Sequence, residues 1–157
     1  MQKISVCLWF NTEGEEAARF YTSIFKNSSI KSIARYGEAG PGATGSVMTV
    51  AFELDGQDIM ALNGGPEFKF NEAVSLVVNC ESQEEVDHFW DSLGEGGEPG
   101  PCGWLKDKYG VSWQVTPTAL PQLLNDPDEA RAQRVMKAML AMSKIDIAAL
   151  ERAANEA

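Results

Sequence analysis

One order of elements, a strand, an amphipathic helix and then a meander closed by a turn and a last strand, occurs twice in this chain and limits its fold more than any other feature. The closing element is clearest in Asp107-Lys108-Tyr109-Gly110-Val111-Ser112-Trp113-Gln114-Val115-Thr116. Asp opens a tight turn because its side chain can bond the turn's own amides, and Gly three residues later avoids the steric cost of an unusual backbone angle. The strand that follows puts Val111, Trp113 and Val115 on one face and Ser112, Gln114 and Thr116 on the other. Ile4, Val6, Leu8 and Phe10 oppose Ser5, Cys7 and Trp9 in the same way, and Val74, Leu76 and Val78 oppose Ser75, Val77 and Asn79. Each strand asks for a core on one side only. Three strands sharing a second, polar side can wall a pocket.

Taken in order, Lys3 to Phe10 reads as the first strand, and Thr12 with Glu15 forms an S/T-x-x-E capping box at a helix start. Ala17, Phe20, Tyr21, Ile24 and Phe25 recur at helical spacing, so this helix should lie on the apolar face of a sheet. Strands are predicted at Ile30 to Tyr36, Ser46 to Leu54 and Gln57 to Leu62, the last two joined by Asp55-Gly56, a strong hairpin signal. The order then restarts with a strand at Ala73 to Cys80, a capping box at Ser82 and Glu85, and a stripe of Val86, Phe89, Trp90 and Leu93. A strand near Pro99 and another at Trp104 to Lys106 precede the closing turn and strand. Ala17-x-x-Phe20-Tyr21 aligns with Val86-x-x-Phe89-Trp90, so the halves read as a diverged internal repeat. Past Pro117 the texture becomes helical: a short helix at Ala119 to Leu124, one begun by Asp126-Pro127-Asp128, and a last one expected to carry Ile145, Ile147 and Leu150. Val135, Met136, Met139, Leu140 and Met142 form a stripe read as packing, within the chain or against a second subunit. The expected organisation is paired modules over 1–117, about 1–65 and 70–117, with 118–157 a C-terminal helical extension of the same domain.

The formal net charge of -10 repels phosphate backbones and anionic bilayers, so nucleic acid and membrane are not expected partners. The opening residues enter strand alternation at once, without the apolar run of a leader, and a cytoplasmic location is expected. Cys7, Cys80 and Cys102 are far apart and odd in number, which argues for reduced thiols rather than a disulfide framework or a thiolate zinc site. Cys7 reads as a small, at least half-buried hydrophobe, and Cys102, within Gly100-Pro101-Cys102-Gly103, as an oxidisable thiol without a catalytic role. His88 is the only histidine and sits on the second helix, pointing away from the sheet. The inward polar residues Ser5, Cys7, Ser75, Asn79, Ser112 and Gln114 offer a divalent metal no good anchor except Cys7. A thiol nucleophile would need a base or a positive field, which the lone His88 does not supply. The glycine-rich runs 37–42 and 94–97 do not join a strand to a helix with phosphate-loop spacing, and read as pocket rims.

Ile4 to Phe10, the run Glu15-Glu16-Ala17-Ala18-Arg19-Phe20-Tyr21, the segment Tyr109-Gly110-Val111-Ser112-Trp113-Gln114 and the methionine-rich tail from Arg134 to Asp146 together resemble the PhnB-like branch of the vicinal oxygen chelate superfamily. That superfamily includes glyoxalase I, bleomycin-resistance proteins and dioxygenases such as dihydroxybiphenyl dioxygenase. Relatives often carry the label 3-demethylubiquinone-9 3-methyltransferase, although no S-adenosylmethionine-type glycine loop follows the first strand here. The resemblance implies an α+β fold of two βαβββ modules forming a curved mixed sheet around a cavity, with C-terminal helices and a homodimeric assembly. In metal-using members four ligands come from four strands; laid on this chain those positions are Ser5, Met60, Ala73 and Gln114, of which only Gln114 could ligate a metal, and weakly. The expectation is a protein that binds a small organic ligand through Ser5, Cys7, Trp9, Met60, Ser75, Ser112 and Gln114, with no metal and no cofactor. The alternatives are a metal-dependent lyase, isomerase or dioxygenase of the same superfamily, or a methyltransferase as the label has it.

Overall fold

The computed structural model describes residues 2–156, which divide into two compact units meeting in sequence between Phe70 and Asn71. The first runs β1 (Val6–Phe10), α1 (Gly14–Ile24), β2 (Ser29–Arg35), β3 (Val47–Leu54) and β4 (Gln57–Asn63). The second runs β5 (Leu76–Cys80), α2 (Gln83–Gly94), β6 (Glu98–Pro99), β7 (Trp104–Lys106) and β8 (Ser112–Pro117), and adds α3 (Ala119–Leu124), α4 (Glu129–Leu140) and α5 (Ile147–Asn155). Each unit builds its own four-stranded mixed sheet, in the orders β1-β4-β3-β2 and β5-β8-β7-β6. The outer pair is parallel in both (β1 with β4, β5 with β8) and the meander is antiparallel. The repeat read from the sequence is therefore a repeat of topology, and the fold is α+β as expected.

Strand alternation sets each core. In the first unit Leu8, Phe10, Val50, Phe52, Ile59 and Ala61 are buried, and α1 lies against β3 and β4 with Ala17, Ala18 and Tyr21 fully covered. Two adjacent alanines let the helix approach closely, while the Tyr21 ring stacks over Phe52 at 6.4 Å. In the second unit Val78, Cys80, Trp113 and Val115 are buried on the side where α2 contributes Val86 and Leu93. Asp55 and Gly56 both take positive φ, 46° and 82°, the geometry of the expected hairpin turn.

Several local expectations are corrected. The capping box at Thr12 and Glu15 does not form: Thr12 bonds Glu13, Glu15 pairs with Arg19, and the Gly14 amide is capped instead by Asn63 Oδ1 at 2.8 Å. A side chain from the end of β4 thus replaces the local cap. At α2 the box is present in shifted form, with Glu85 N donating to Ser82 Oγ and the Glu85 carboxylate reaching back to the Glu81 amide. β1 begins at Val6 and β5 at Leu76, later than predicted, because ladder pairing starts at Ile59 and Trp113 respectively. Leu140, assigned to the apolar stripe, is 62% exposed, whereas Met139 and Met142 pack in the same chain on a cluster of Leu120, Val135, Ile145, Leu150 and Ala154.

The helical extension is tied to the second unit by its return segment. Cys102 N and Gly103 N donate to Met142 O and Ser143 O at 2.8 Å, and Ser143 Oγ donates to Gly100 O. Gln83 bonds both Ile145 O and Ile147 N, and Lys144 pairs with Asp87. Among the described residues no helix is long and apolar enough to cross a membrane.

The turn before β8 is more than a local Asp turn. Asp107 is 3% exposed; its Oδ1 accepts from Tyr109 N (2.8 Å) and Val111 N (3.1 Å), and its Oδ2 accepts from the Trp113 indole Nε1 at 2.8 Å. Removing this carboxylate strands several buried donors, each costing roughly 1–3 kcal/mol. Asp107→Ala is expected to lower stability by about 3 kcal/mol or more in urea denaturation. In a double-mutant cycle with Trp113→Phe, the two losses should fall short of additivity by about 1 kcal/mol or more.

Candidate functional site

The face of each sheet turned away from its own helix carries the residues singled out in the sequence. In the first unit Cys7 and Met60 are register partners on β1 and β4, and both are exposed, Met60 by 42%. Ala51 continues the row on β3. Ser5 precedes β1 and is exposed. Trp9 is less free than a pocket wall would be: its indole donates to Gly65 O at 3.0 Å and Phe68 meets its ring edge-on at 4.8 Å. A Cβ at Gly64 would lie 2.4 Å from that ring, so glycine is required for this contact.

A cavity of about 420 Å³ in this unit lies between Tyr36, Asn63 and the 41–47 loop. Its polar centre, Asn63, is fully committed to the fold: Oδ1 accepts from Gly14, Nδ2 donates to Val47 O, and its carbonyl accepts from the Tyr36 hydroxyl at 2.5 Å. The role of Asn63 could not be read from the sequence, because its partners lie on three other elements.

In the second unit the corresponding face joins Ser75, Ser112 and Gln114. Gln114 Nε2 donates to Ser75 Oγ at 3.0 Å across the β5–β8 pair. Ser112 stands opposite Lys106 on β7, which in turn stands opposite Glu98 on β6. This row borders a cavity of about 460 Å³ whose other walls include Pro99, Pro101 and Trp104. Lys106 pairs with Glu72, which holds the lysine above and the glutamate below their ordinary values. Ser112 is 1% exposed, and its hydroxyl is the one buried side-chain N or O atom among the described residues with no hydrogen-bond partner. Such an atom costs stability unless something satisfies it. Glu72, Glu98, Trp104 and Lys106 were not expected as site residues; only strand alternation from Trp104 through Lys106 hinted at them.

The remaining reactive groups give little chemistry. Cys7 is exposed rather than half-buried, correcting the sequence expectation, because no helix covers this face; partial desolvation nonetheless holds its thiol above the ordinary value, away from the reactive thiolate. Cys80 is fully buried, and burial, then the Glu85 carboxylate, push its thiol up to about 12. Cys102 is half-buried with φ at +57°. His88 is exposed beside the Phe89 ring. Among the described residues no three His, Cys, Asp or Glu side chains gather as a metal group would require.

Residues 2–116 match the family model described as 3-demethylubiquinone-9 3-methyltransferase. The PhnB protein from Bacillus cereus is 43% identical over 74% of this chain and 100% of its own, with a TM-score of 0.67. Protein PA1353 from Pseudomonas aeruginosa is 21% identical over 74% of this chain and 98% of its own, with a TM-score of 0.63. The fosfomycin resistance protein FosX from Listeria monocytogenes, solved with manganese(II) and sulfate, is 15% identical over 72% and 90% of the two chains at a TM-score of 0.51, a likeness of fold. No curated protein matches the chain significantly.

The thiols supply a check on this placement. Cys80's folded value lies above the value of 9.0 ordinary for a thiol, so the unfolded chain loses that proton first as pH rises. Its contribution is whole below about pH 9 and is lost towards pH 12. Cys80→Ala should flatten that alkaline limb in denaturant titrations, and under native conditions a maleimide should label Cys7 ahead of Cys80.

Proposed function

The chain belongs to the family described as 3-demethylubiquinone-9 3-methyltransferase, the PhnB-like branch of the vicinal oxygen chelate superfamily, and we propose that it binds a small, partly apolar organic molecule without help from a divalent ion. The donor chemistry at the metal positions of the superfamily carries this reading. Laid on this chain as the resemblance implies, those positions fall at Ser5 and near Met60 in the first unit and at Ala73 and Gln114 in the second. An alanine has no donor, a thioether suits soft metals, and a serine hydroxyl or a neutral amide is a weak ligand beside the imidazole and carboxylate that catalytic sites employ. These residues do not fit a chelated divalent ion, but they suit a ligand held by hydrogen bonds and apolar contact.

A methyltransferase reading draws no support from the loops. The glycine-rich 37–45 segment joins strand β2 to strand β3, and 94–97 runs from the last residue of α2 towards β6, so neither is a glycine loop leading from a parallel strand into a helix, as an S-adenosylmethionine-type loop is. The reading extends to a homodimer and to a cytoplasmic location. Ile4 and Phe68 in the first unit and Val74 and Val77 in the second are large apolar side chains between 52% and 87% exposed, which a second subunit could cover.

Equilibrium dialysis against pooled small metabolites, followed by mass spectrometry of what the protein retains, tests the proposal. The expected result is saturable binding that EDTA leaves unchanged and that Gln114→Ala weakens by about tenfold, the worth of one hydrogen bond. Binding or turnover abolished by EDTA and restored by manganese(II) would overturn it in favour of a metal-dependent enzyme.

A further inference from the structure

We propose that the cavity beside β6, β7 and β8 is the ligand site of the second unit, and that it selects a planar, neutral or cationic ring bearing one hydrogen-bonding group while rejecting the matching anion. This deepens the binding reading above and rests on it. Three observations carry it.

The first is the orphaned hydroxyl. Ser112 borders the cavity, is 1% exposed and has no partner among the described residues, yet it can donate once and accept twice. A ligand's carbonyl, amide or amino group at this point supplies the missing bond. The second is the wall. Trp104 and two prolines, Pro99 and Pro101, give an apolar surface suited to a flat ring, and about 460 Å³ is within the range of small-molecule sites, roughly 300–1,000 Å³. The loop carrying Pro101 is pinned by the bonds from Cys102 and Gly103 to residues 142 and 143, so this wall is built before any ligand arrives.

The third is charge. Glu72, Glu98 and Lys106 are the ionisable groups lining the cavity. The single ammonium is already paired with Glu72 and feels Glu98 beside it, so the lining carries two carboxylates against one cation. An anionic ligand would have to displace Glu72 from Lys106 and then remain near Glu98. A cation gains from the same carboxylates and from the Trp104 ring face. The shape of the site therefore welcomes all members of an isosteric series that its charge then separates.

Benzamide, benzamidinium and benzoate form such a series, matched in size and differing in charge. Their dissociation constants are to be measured on the full chain by ligand-observed NMR and by Trp fluorescence at low salt. Benzamidinium and benzamide are expected to bind at least about tenfold more tightly than benzoate. Ser112→Ala should weaken benzamide by about tenfold while the thermal midpoint of the unliganded protein holds or rises, since the hydroxyl removed was unsatisfied. The double change Glu72→Gln with Glu98→Gln leaves Lys106 as the one ionisable group of the lining and should bring benzoate to the affinity of benzamide or beyond it. Equal binding of benzoate and benzamidinium, or binding of the series indifferent to Ser112→Ala, overturns this proposal; so does failure of the unaltered protein to bind any of the three. If the metabolite retained in dialysis stays bound in the Ser112→Ala and Trp104→Ala variants but is lost in Cys7→Ala or Met60→Ala, the binding reading stands and only this site falls.

Discussion

A carboxylate held almost out of water ties the second unit together. Asp107 gathers two backbone amides with one oxygen and the Trp113 indole with the other, spanning the turn and the first residues of β8. A carboxyl group tolerates such burial only when its acceptor capacity is used. Its consequence is a register. With Val111 and Trp113 anchored to the core side, strand geometry leaves Ser112 and Gln114 no choice but the other face. The hydroxyl that has no partner among the described residues and the amide shared with Ser75 are therefore by-products of where Asp107 is satisfied.

The same division of labour runs through both units. One sheet face is closed by a helix whose small residues allow close approach, Ala17 and Ala18 in α1, and the other face is left with side chains too polar or too isolated to form a core. The duplicated strand order makes the two open faces equivalent in position but not in chemistry. The first presents Cys7 and Met60, soft and apolar, and keeps its polar groups, such as Asn63, busy inside the fold. The second keeps a hydroxyl in reserve beside an ion pair.

The helical extension belongs to this account through its return segment rather than through its helices. Residues 142 to 147 bond the 100–103 loop and the start of α2, so the wall that holds Pro101 is braced from behind. Met139 and Met142 serve the small core of the extension. Their flexible thioethers suit the irregular space between three short helices.

How much was legible in the chain follows from how local each feature is. Alternation of period two at Ile4 to Phe10 and at Val111 to Thr116, and helical recurrence around Phe20 and Val86, announced the elements and their order; Asp55-Gly56 announced its hairpin, because two adjacent positive φ angles demand such residues. Thr12 misled for the same reason: a local pattern promised a cap that Asn63, about fifty residues away, supplies instead. Cys7 was read as at least half-buried, and only the position of α1 decides which face of β1 is covered. The pairing of Lys106 with Glu72, the empty hydroxyl of Ser112 and the bracing of Pro101 by residue 143 depend on groups far apart in the chain meeting in space. Sequence by itself determined the periodicities and the repeat, since both are properties of residue type and spacing. Tertiary structure alone decided which polar groups found partners, because satisfaction of a hydrogen bond is a property of pairs.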